Sequence, residues 1–404
     1  MKPAITTTIL LSLCIFVGMY SCDVFLNKPM KPALVPMTAA ALASHEWSDD
    51  LDLDGLEPAV LQSISYYRSL PDSKRFRYGG ITYTPQEMAA SLGLFLRTIR
   101  DYDGEDLTAR LRERFLFFES RNAEGEAFFT GYYEPILEGS LEATDEFPEP
   151  VYAVPDDLIE VDLSLFSDRW SNEKIIGRLE GNRLVPYDSR EEIMYDDSLR
   201  DRARPIAYVN DIELFFLQIQ GSGLVRFPDG SVKRVNYAGK NGRPYTSIGS
   251  VLKDSVPMDH ISLQSIKQYL YANPGKVKDI LSLNQSYVFF REAEEGPFGS
   301  MGRLLTPGRS IAMDLSVIPE GTLAFIRTEL PVFENDPIIR WEPVSRFVVV
   351  QDRGSAIVDH GRVDIFFGHG RMAELLAGHM KQRGRVFMLV AKKEYLKSDT
   401  FRNY

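Results

Sequence analysis

Cysteine is almost absent from this chain. Only Cys14 and Cys22 occur in 404 residues, and both lie near the N-terminus. A framework of structural disulfides is therefore excluded, and the body must rest on a hydrophobic core. Histidine is nearly as scarce, at five residues. No Lys or Arg block interrupts a chain whose formal net charge is −11. The aromatic residues do not interleave with basic clusters, so no nucleic-acid partner is expected. Beyond the N-terminus no apolar run reaches the ~20 residues of a membrane-spanning helix. No internal repeat is visible. The one phosphate-loop suspect, Gln220-Gly221-Ser222-Gly223, lacks the Gly-Lys-Ser/Thr ending and a βαβ context, so a P-loop is rejected.

The N-terminus reads as a targeting segment. Met1-Lys2 is positive, Ile5 to Tyr20 is apolar or small, and Ser21-Cys22-Asp23 follows. Met19-Tyr20-Ser21-Cys22 is similar to a bacterial lipobox, with Met19 and Tyr20 as departures. Residues 1–21 are expected to be a signal peptide. Cys22 is the expected lipidation site, and residues 22–46, rich in Pro, Ala, Met and Lys, a tether. The expected location is the periplasmic side of a bacterial membrane, the outer one in the first instance and the inner as the alternative.

The globular part is expected to begin near Trp47. Leu56, Val60, Leu61 and Ile64 recur at helical spacing between Gly55 and Leu70. Thr84-Pro85-Gln86-Glu87 has the form of a capping box with Pro at the first helical position. A third helix is expected over Leu107 to Phe118. From Phe128 the character turns to β. Phe128-Phe129-Thr130-Gly131-Tyr132-Tyr133-Glu134 reads as a strand stopped by Pro135, and paired tyrosines suit a core edge or a sugar platform. Gly139 to Pro150 looks like a crossing between domains, followed by short strands as far as Phe290. Within them Ile212 to Ile219 reads as a nearly continuous apolar strand running into the glycine-rich loop. There Gln220, Gly221 and Ser222 offer an amide and close backbone approach to a neutral polar ligand. Asp229-Gly230 reads as a hairpin turn, and Ile261 to Ala272 as the one clear helix of the region.

Near the C-terminus, Phe347 to Val350 reads as a buried strand ending in Gln351-Asp352-Arg353-Gly354-Ser355. Arg362 to Phe367 reads as another, with Asp364 among Val363, Ile365, Phe366 and Phe367. A carboxylate in such a run must be paired, hydrogen-bonded or protonated. Asp352 and Asp364 are expected to bracket one hairpin and face one cleft. Asp314 ends a third strand. Turn roles are the default for Asp314 and Asp352, whereas for Asp364 structural and functional roles stand even on local sequence.

Taken together, these motifs resemble the membrane-bound lytic murein transglycosylase A family. The matching runs are Phe129-Thr130-Gly131-Tyr132-Tyr133-Glu134-Pro135, Phe215 to Gly223, and Asn236-Tyr237-Ala238-Gly239 with Tyr245 and Ile248-Gly249. The C-terminal part is similar to a three-aspartate (3D) domain, through Met313-Asp314, Asp352-Arg353-Gly354-Ser355 and Arg362-Val363-Asp364-Ile365. The resemblance implies a mainly β fold with peripheral helices: a double-psi β-barrel, an inserted second barrel-like domain, and a substrate groove between them. The expected segments are 47–138 with 291–404 for the first, its 3D domain at about 305–391, and 139–290 for the insert. It implies Asp364 as the catalytic acid with Asp352 in support. Thr130, Tyr132, Tyr133, Gln220, Gly221, Ser222, Asp314, Gly354 and Ser355 are the implied substrate contacts. Arg353 and Ser355 depart from the family pattern, in which both positions are usually small or glycine.

The implied reaction is cleavage of the β-1,4 bond between N-acetylmuramic acid and N-acetylglucosamine in peptidoglycan strands, giving 1,6-anhydro ends. One carboxyl would act first as acid and then as base, where ordinary glycosidases use two. Such an acid needs a raised pKa, which an apolar strand and a nearby carboxylate would supply. Neither cofactor nor metal is expected, and cell-wall synthesis or division proteins are possible partners. Two alternatives stay open: a non-catalytic glycan-binding barrel, and an oxygen-rich metal site built from Asp314, Asp352 and Asp364, with only His360 and His369 near.

Overall fold

The computed structural model describes residues 34–122, 124–170, 173–254, 262–334, 337–354, 357 and 360–396. Cys22 and Ser355 lie outside the described residues. Six strands form the first barrel: Ala127–Glu134, Ser310–Ala312, Leu323–Phe333, Ile338–Asp352, Arg362–His369 and Lys381–Ala391. They close because Lys381–Ala391 pairs with Leu323–Phe333 on one side and Ala127–Glu134 on the other. Closure leaves no free edge among them. Two of the pairings are parallel, Ser310–Ala312 with Ile338–Asp352 and Arg362–His369 with Ala127–Glu134.

Phe347, Val348, Val349 and Val350 are all fully buried. The continuous apolar run is explained by burial on both faces: barrel interior on one side, the helix Leu56–Ser69 outside. That helix starts where expected, and so does Pro85–Asp101, whose capping box between Thr84 and Glu87 is complete. The helix expected over Leu107 to Phe118 lies earlier in the chain. It spans Gly104–Arg114 and gives way to a strand, Phe115–Ser120, that pairs with Lys381–Ala391. The run Phe115, Phe117, Phe118 is satisfied better by the sheet than by a third turn-face of helix.

The expected tether is corrected over its second half. Val35–Pro36 pairs with Phe115–Ser120, and Leu34 is buried. Trp47 is the reason the segment is held. Its ring lies 4.4 Å from that of Phe117, 5.1 Å from Phe325 and 5.5 Å from Phe387. Asp49 then closes a buried ion pair with Arg309, at 2.6 Å and 2.9 Å.

Pro135 separates the first barrel from Ile136–Ser140, so the chain crosses before Gly139. The second sheet has six strands in the order Val288–Ala293, Val232–Lys240, Ser222–Arg226, Ile136–Ser140, Pro205–Val209, Glu149–Tyr152. A bridge between Ala153 and Phe290 draws its two edges together. The architecture is therefore mainly β, with two barrels and peripheral helices. A three-stranded flap, Ile159–Asp162, Lys174–Glu180 and Arg183–Pro186, stands beside the second barrel.

The expected strand Ile212 to Ile219 is a helix, Asp211–Gln220. Asn210 caps it by accepting from the N–H groups of Ile212 and Glu213, and Gly221, at φ +83°, ends it. The polar face that marks a helix in sequence is missing because the helix is buried on two sides. Leu214 and Leu217 enter the barrel core, while Ile212, Phe215 and Phe216 pack against outer helices. Leu263–Ala272 is a helix as expected, though Arg190–Tyr195 and Val277–Ser282 are helical too.

Candidate active site

The aspartates do not bracket a hairpin. Ser310–Ala312 inserts between their strands, and Ala312 is in register with Asp352 on one side and Asp364 on the other. Thr130 is the next residue in that row, opposite Asp364. The register shifts between Ile311 and Ala312, just before this row, and the Tyr132 phenol that donates to Asp352 also feels the charge of Asp364, so both carboxyls lie near one ring. Two strand spacings of ~4.8 Å put their Cα atoms about 10 Å apart.

Asp352 closes its strand at the mouth of a groove. Its Oδ1 accepts from the N–H groups of Ser300 at 3.0 Å and Arg353 at 2.8 Å, and its Oδ2 from the Tyr132 hydroxyl at 3.1 Å. Burial nonetheless pushes this carboxyl up to about 6, with Glu320 adding to the push against the three hydrogen bonds. The Tyr132 phenol is driven well above its ordinary range by burial and by the charges of Asp352 and Asp364. Asp364 lies beyond Tyr132. It accepts from the Thr130 hydroxyl and from Arg362 Nε at 3.3 Å, and Arg362 also donates to Thr130 at 2.9 Å. Its side chain keeps 20% of its surface exposed. Tyr245, from the insert, lies close enough for its phenol to feel the charges of Asp364 and Arg362.

The groove has a volume of about 1160 Å³ and is lined from both barrels and the flap. The first barrel supplies Tyr132, Asp352, Arg353 and Gly354. The insert supplies Gln220, Gly221, Ser222, Asn236, Tyr237 and Arg291. Asn236 is 2% exposed, and its Oδ1 has no partner among the described residues. A buried acceptor left open on a groove wall suits a donor from a ligand. Tyr237 is half exposed and offers a flat ring.

The structure thus brings Asp352, Tyr132, Gln220, Gly221, Ser222 and Gly354 to one groove, with Asp364 and Thr130 adjoining. Two expected contacts sit elsewhere. Tyr133 is 2% exposed, and its hydroxyl donates to Glu374 at 3.2 Å, because successive strand residues face opposite ways. Asp314 accepts from the N–H and hydroxyl of Ser316, the turn role that was its default. Gln220 also ties insert to barrel, since its Oε1 accepts from Tyr133 N–H at 3.1 Å. Among the described residues no group of His, Cys, Asp and Glu side chains has metal-binding geometry. Sequence reasoning missed Asn236, Arg291 and the flap residues as groove walls. Asn236 falls in the motif run Asn236-Tyr237-Ala238-Gly239, which could have pointed to it; no local signal marks Arg291 or the flap, whose place depends on how the two barrels meet.

Two β-barrels meeting at a groove lined by the Asp352 carboxyl, amides, cations and a flat ring, with a second carboxyl adjoining, define an enzyme built to hold a polar polymer. The comparisons with known proteins narrow this. Residues 128–291 match the MltA specific insert domain, and residues 309–390 match the 3D domain. The chain is 34% identical over 272 residues to membrane-bound lytic murein transglycosylase A of Vibrio cholerae, covering 66% of each chain. It is 32% identical over 277 residues to the Escherichia coli K12 protein of that name, covering 67% of each. A membrane-bound lytic murein transglycosylase structure from Agrobacterium tumefaciens superimposes with a TM-score of 0.71 at 29% identity, covering 89% of this chain and 98% of that one. The chain belongs to the membrane-bound lytic murein transglycosylase A family. Among its described residues no helix is long and apolar enough to cross a membrane.

Proposed function

We propose that this enzyme cleaves the β-1,4 bond between N-acetylmuramic acid and N-acetylglucosamine in peptidoglycan and leaves a 1,6-anhydromuramoyl end. The observation that carries the reading is the row Asp352, Ala312, Asp364, Thr130, in which Asp352 lines the groove and Asp364 and Thr130 adjoin it. Protonated Asp364 gives its proton to the glycosidic oxygen as the C1–O bond breaks. The resulting carboxylate takes the proton of the muramoyl C6 hydroxyl as that oxygen bonds C1. Asp364 ends protonated, and no water is consumed. Thr130 and Arg362 fix the carboxyl between the two steps. Tyr237 stacks on a sugar face, and Gln220, Asn236 and the Gly221-Ser222 backbone bind hydroxyl and acetamido groups.

A specific observation favours a second assignment of the proton donor. Asp352 lines the groove and is half-protonated near pH 6. Asp364→Asn and Asp352→Asn decide between them on purified peptidoglycan. General acid–base help is worth ~10²–10⁴-fold, so Asp364→Asn should lose at least ~100-fold in turnover and Asp352→Asn less. The reverse order moves the role to Asp352. Solvent ¹⁸O at the new end would make the enzyme a hydrolase. Anchoring to a membrane through lipid on Cys22, facing the periplasm and by preference on the outer membrane, completes the proposal. Retention of Cys22→Ser in the membrane fraction would refute the anchor.

A further inference from the structure

The groove carries a charge opposite to that of the protein. The chain has a net charge of −11. The groove is lined by Lys174, Lys240, Arg291 and Arg353 against two acids, Glu160 and Asp352. Glu160 is occupied by Lys174, with which it pairs. Both oxygens of Asp352 are engaged by hydrogen bonds from Tyr132 and two backbone N–H groups. Arg353 is exposed, and among the described residues no carboxylate lies within ion-pair distance of its guanidinium. It sits on the first barrel, and Lys174 sits across from it on the flap. Lys174 is held protonated chiefly by its hydrogen bond to Glu160, while Arg353 opposes that from across the groove. Tyr237 lies between, close enough to both cations and to Glu160 to feel their charges.

A strand of neutral N-acetyl sugars has no use for cations of this kind. Desolvating the Arg353 guanidinium without a counter-charge weakens binding. A guanidinium facing an ammonium over a sugar platform is suited to a carboxylate projecting sideways from the strand. We infer that Arg353, assisted by Lys174, forms a carboxylate subsite beside the sugar platform of Tyr237, so that the groove selects acid-substituted glycan over neutral glycan. On murein the carboxylate has two sources of the same chemistry. Where the muramic acid is peptide-substituted it comes from the peptide stem. Where the peptide has been removed it is the lactyl carboxylate itself. The inference rests on the glycan-cleaving reading for the identity of the polymer and goes beyond it in assigning a residue to its substituent.

The test is equilibrium binding in the Asp364→Asn background, which prevents turnover from consuming the ligand. Three probes are used: neutral chitohexaose, peptide-free murein oligosaccharide with its lactyl carboxylate, and peptide-bearing murein oligosaccharide. Arg353→Gln, an exposed change that leaves the core untouched, should weaken one or both carboxylated probes about tenfold, the worth of one charge-assisted hydrogen bond. It should change chitohexaose less than twofold. Arg353→Lys should restore part of the loss. Loss confined to the peptide-bearing probe names the stem as the source, loss confined to the peptide-free probe names the lactyl carboxylate, and loss on both names any carboxylate carried on the lactyl arm. Equal loss on all three probes, or none on either acidic probe, overturns the subsite. Discrimination intact in a protein whose native form cuts no murein overturns the proposed function and supports the subsite. Cutting without discrimination does the opposite.

Discussion

Replacing Asp352 with asparagine should make the folded protein more stable at neutral pH. The carboxyl is raised from 3.8 to about 6 by burial. A group raised in this way keeps its proton in the folded state while the unfolded chain loses it. Folded stability therefore falls as pH rises from 3.8 towards 6, and the whole penalty is present above that. At ~1.4 kcal/mol per tenfold, the difference amounts to ~3 kcal/mol. The groove gives the carboxyl some contact with water, which reduces the expected effect to about 2 kcal/mol. Asparagine can preserve the contacts. Its Oδ1 accepts from Ser300 and Arg353 N–H, and its Nδ2 donates to the Tyr132 oxygen. Thermal unfolding followed by circular dichroism should put Asp352→Asn about 2–3 °C above wild type at pH 7.5. The gap should shrink at pH 5 and close near pH 4. A variant equal to or less stable than wild type at pH 7.5, or a gap that ignores pH, would refute the reasoning.

Asp49→Asn should be destabilised by ~3–5 kcal/mol in urea unfolding, because Arg309 would be left buried without its counter-charge. Burial pushes the Asp49 carboxyl up, but hydrogen bonds from Arg309 and from Phe347 N–H outweigh this and hold it below 3.8. The pair's contribution is thus complete above pH 4 and is lost as pH falls through the folded value, so wild type and variant should converge in acid. Gly131→Ala should lose ~1–3 kcal/mol, since the new Cβ would stand 2.3 Å from the Phe367 ring and 3.1 Å from the Ala377 backbone. An unchanged melting temperature would show that the helix Arg371–His379 can move off the barrel.

Much of the site was legible because family motifs are local in sequence and each carries its own turn chemistry. Thr84 and Glu87 announced a capping box, and Asp229-Gly230 a hairpin turn, and both are present. Asp364 stood out because a carboxylate among Val363, Ile365 and Phe366 has to be accounted for wherever the strand lies. The Asp211–Gln220 helix was illegible because both its faces are buried, which erases the polar period that separates helix from strand. Tyr133 was misplaced for a similar reason: alternation separates Tyr132 from Tyr133, but only packing against Glu374 decides which of them faces the groove.

The sequence by itself determined the strand character of the aspartate-bearing segments, the turns beside them, the lack of disulfides and the family. Those follow from short-range chemistry. Tertiary structure decided that a three-residue strand wedges between Asp352 and Asp364 and sets them in one row. It also decided that burial raises Asp352, and that Arg353 meets Lys174 across a groove. The register of strands distant in sequence, and the dielectric at a given carboxyl, are set by closure of the barrel as a whole. Neither quantity is a property of any single segment.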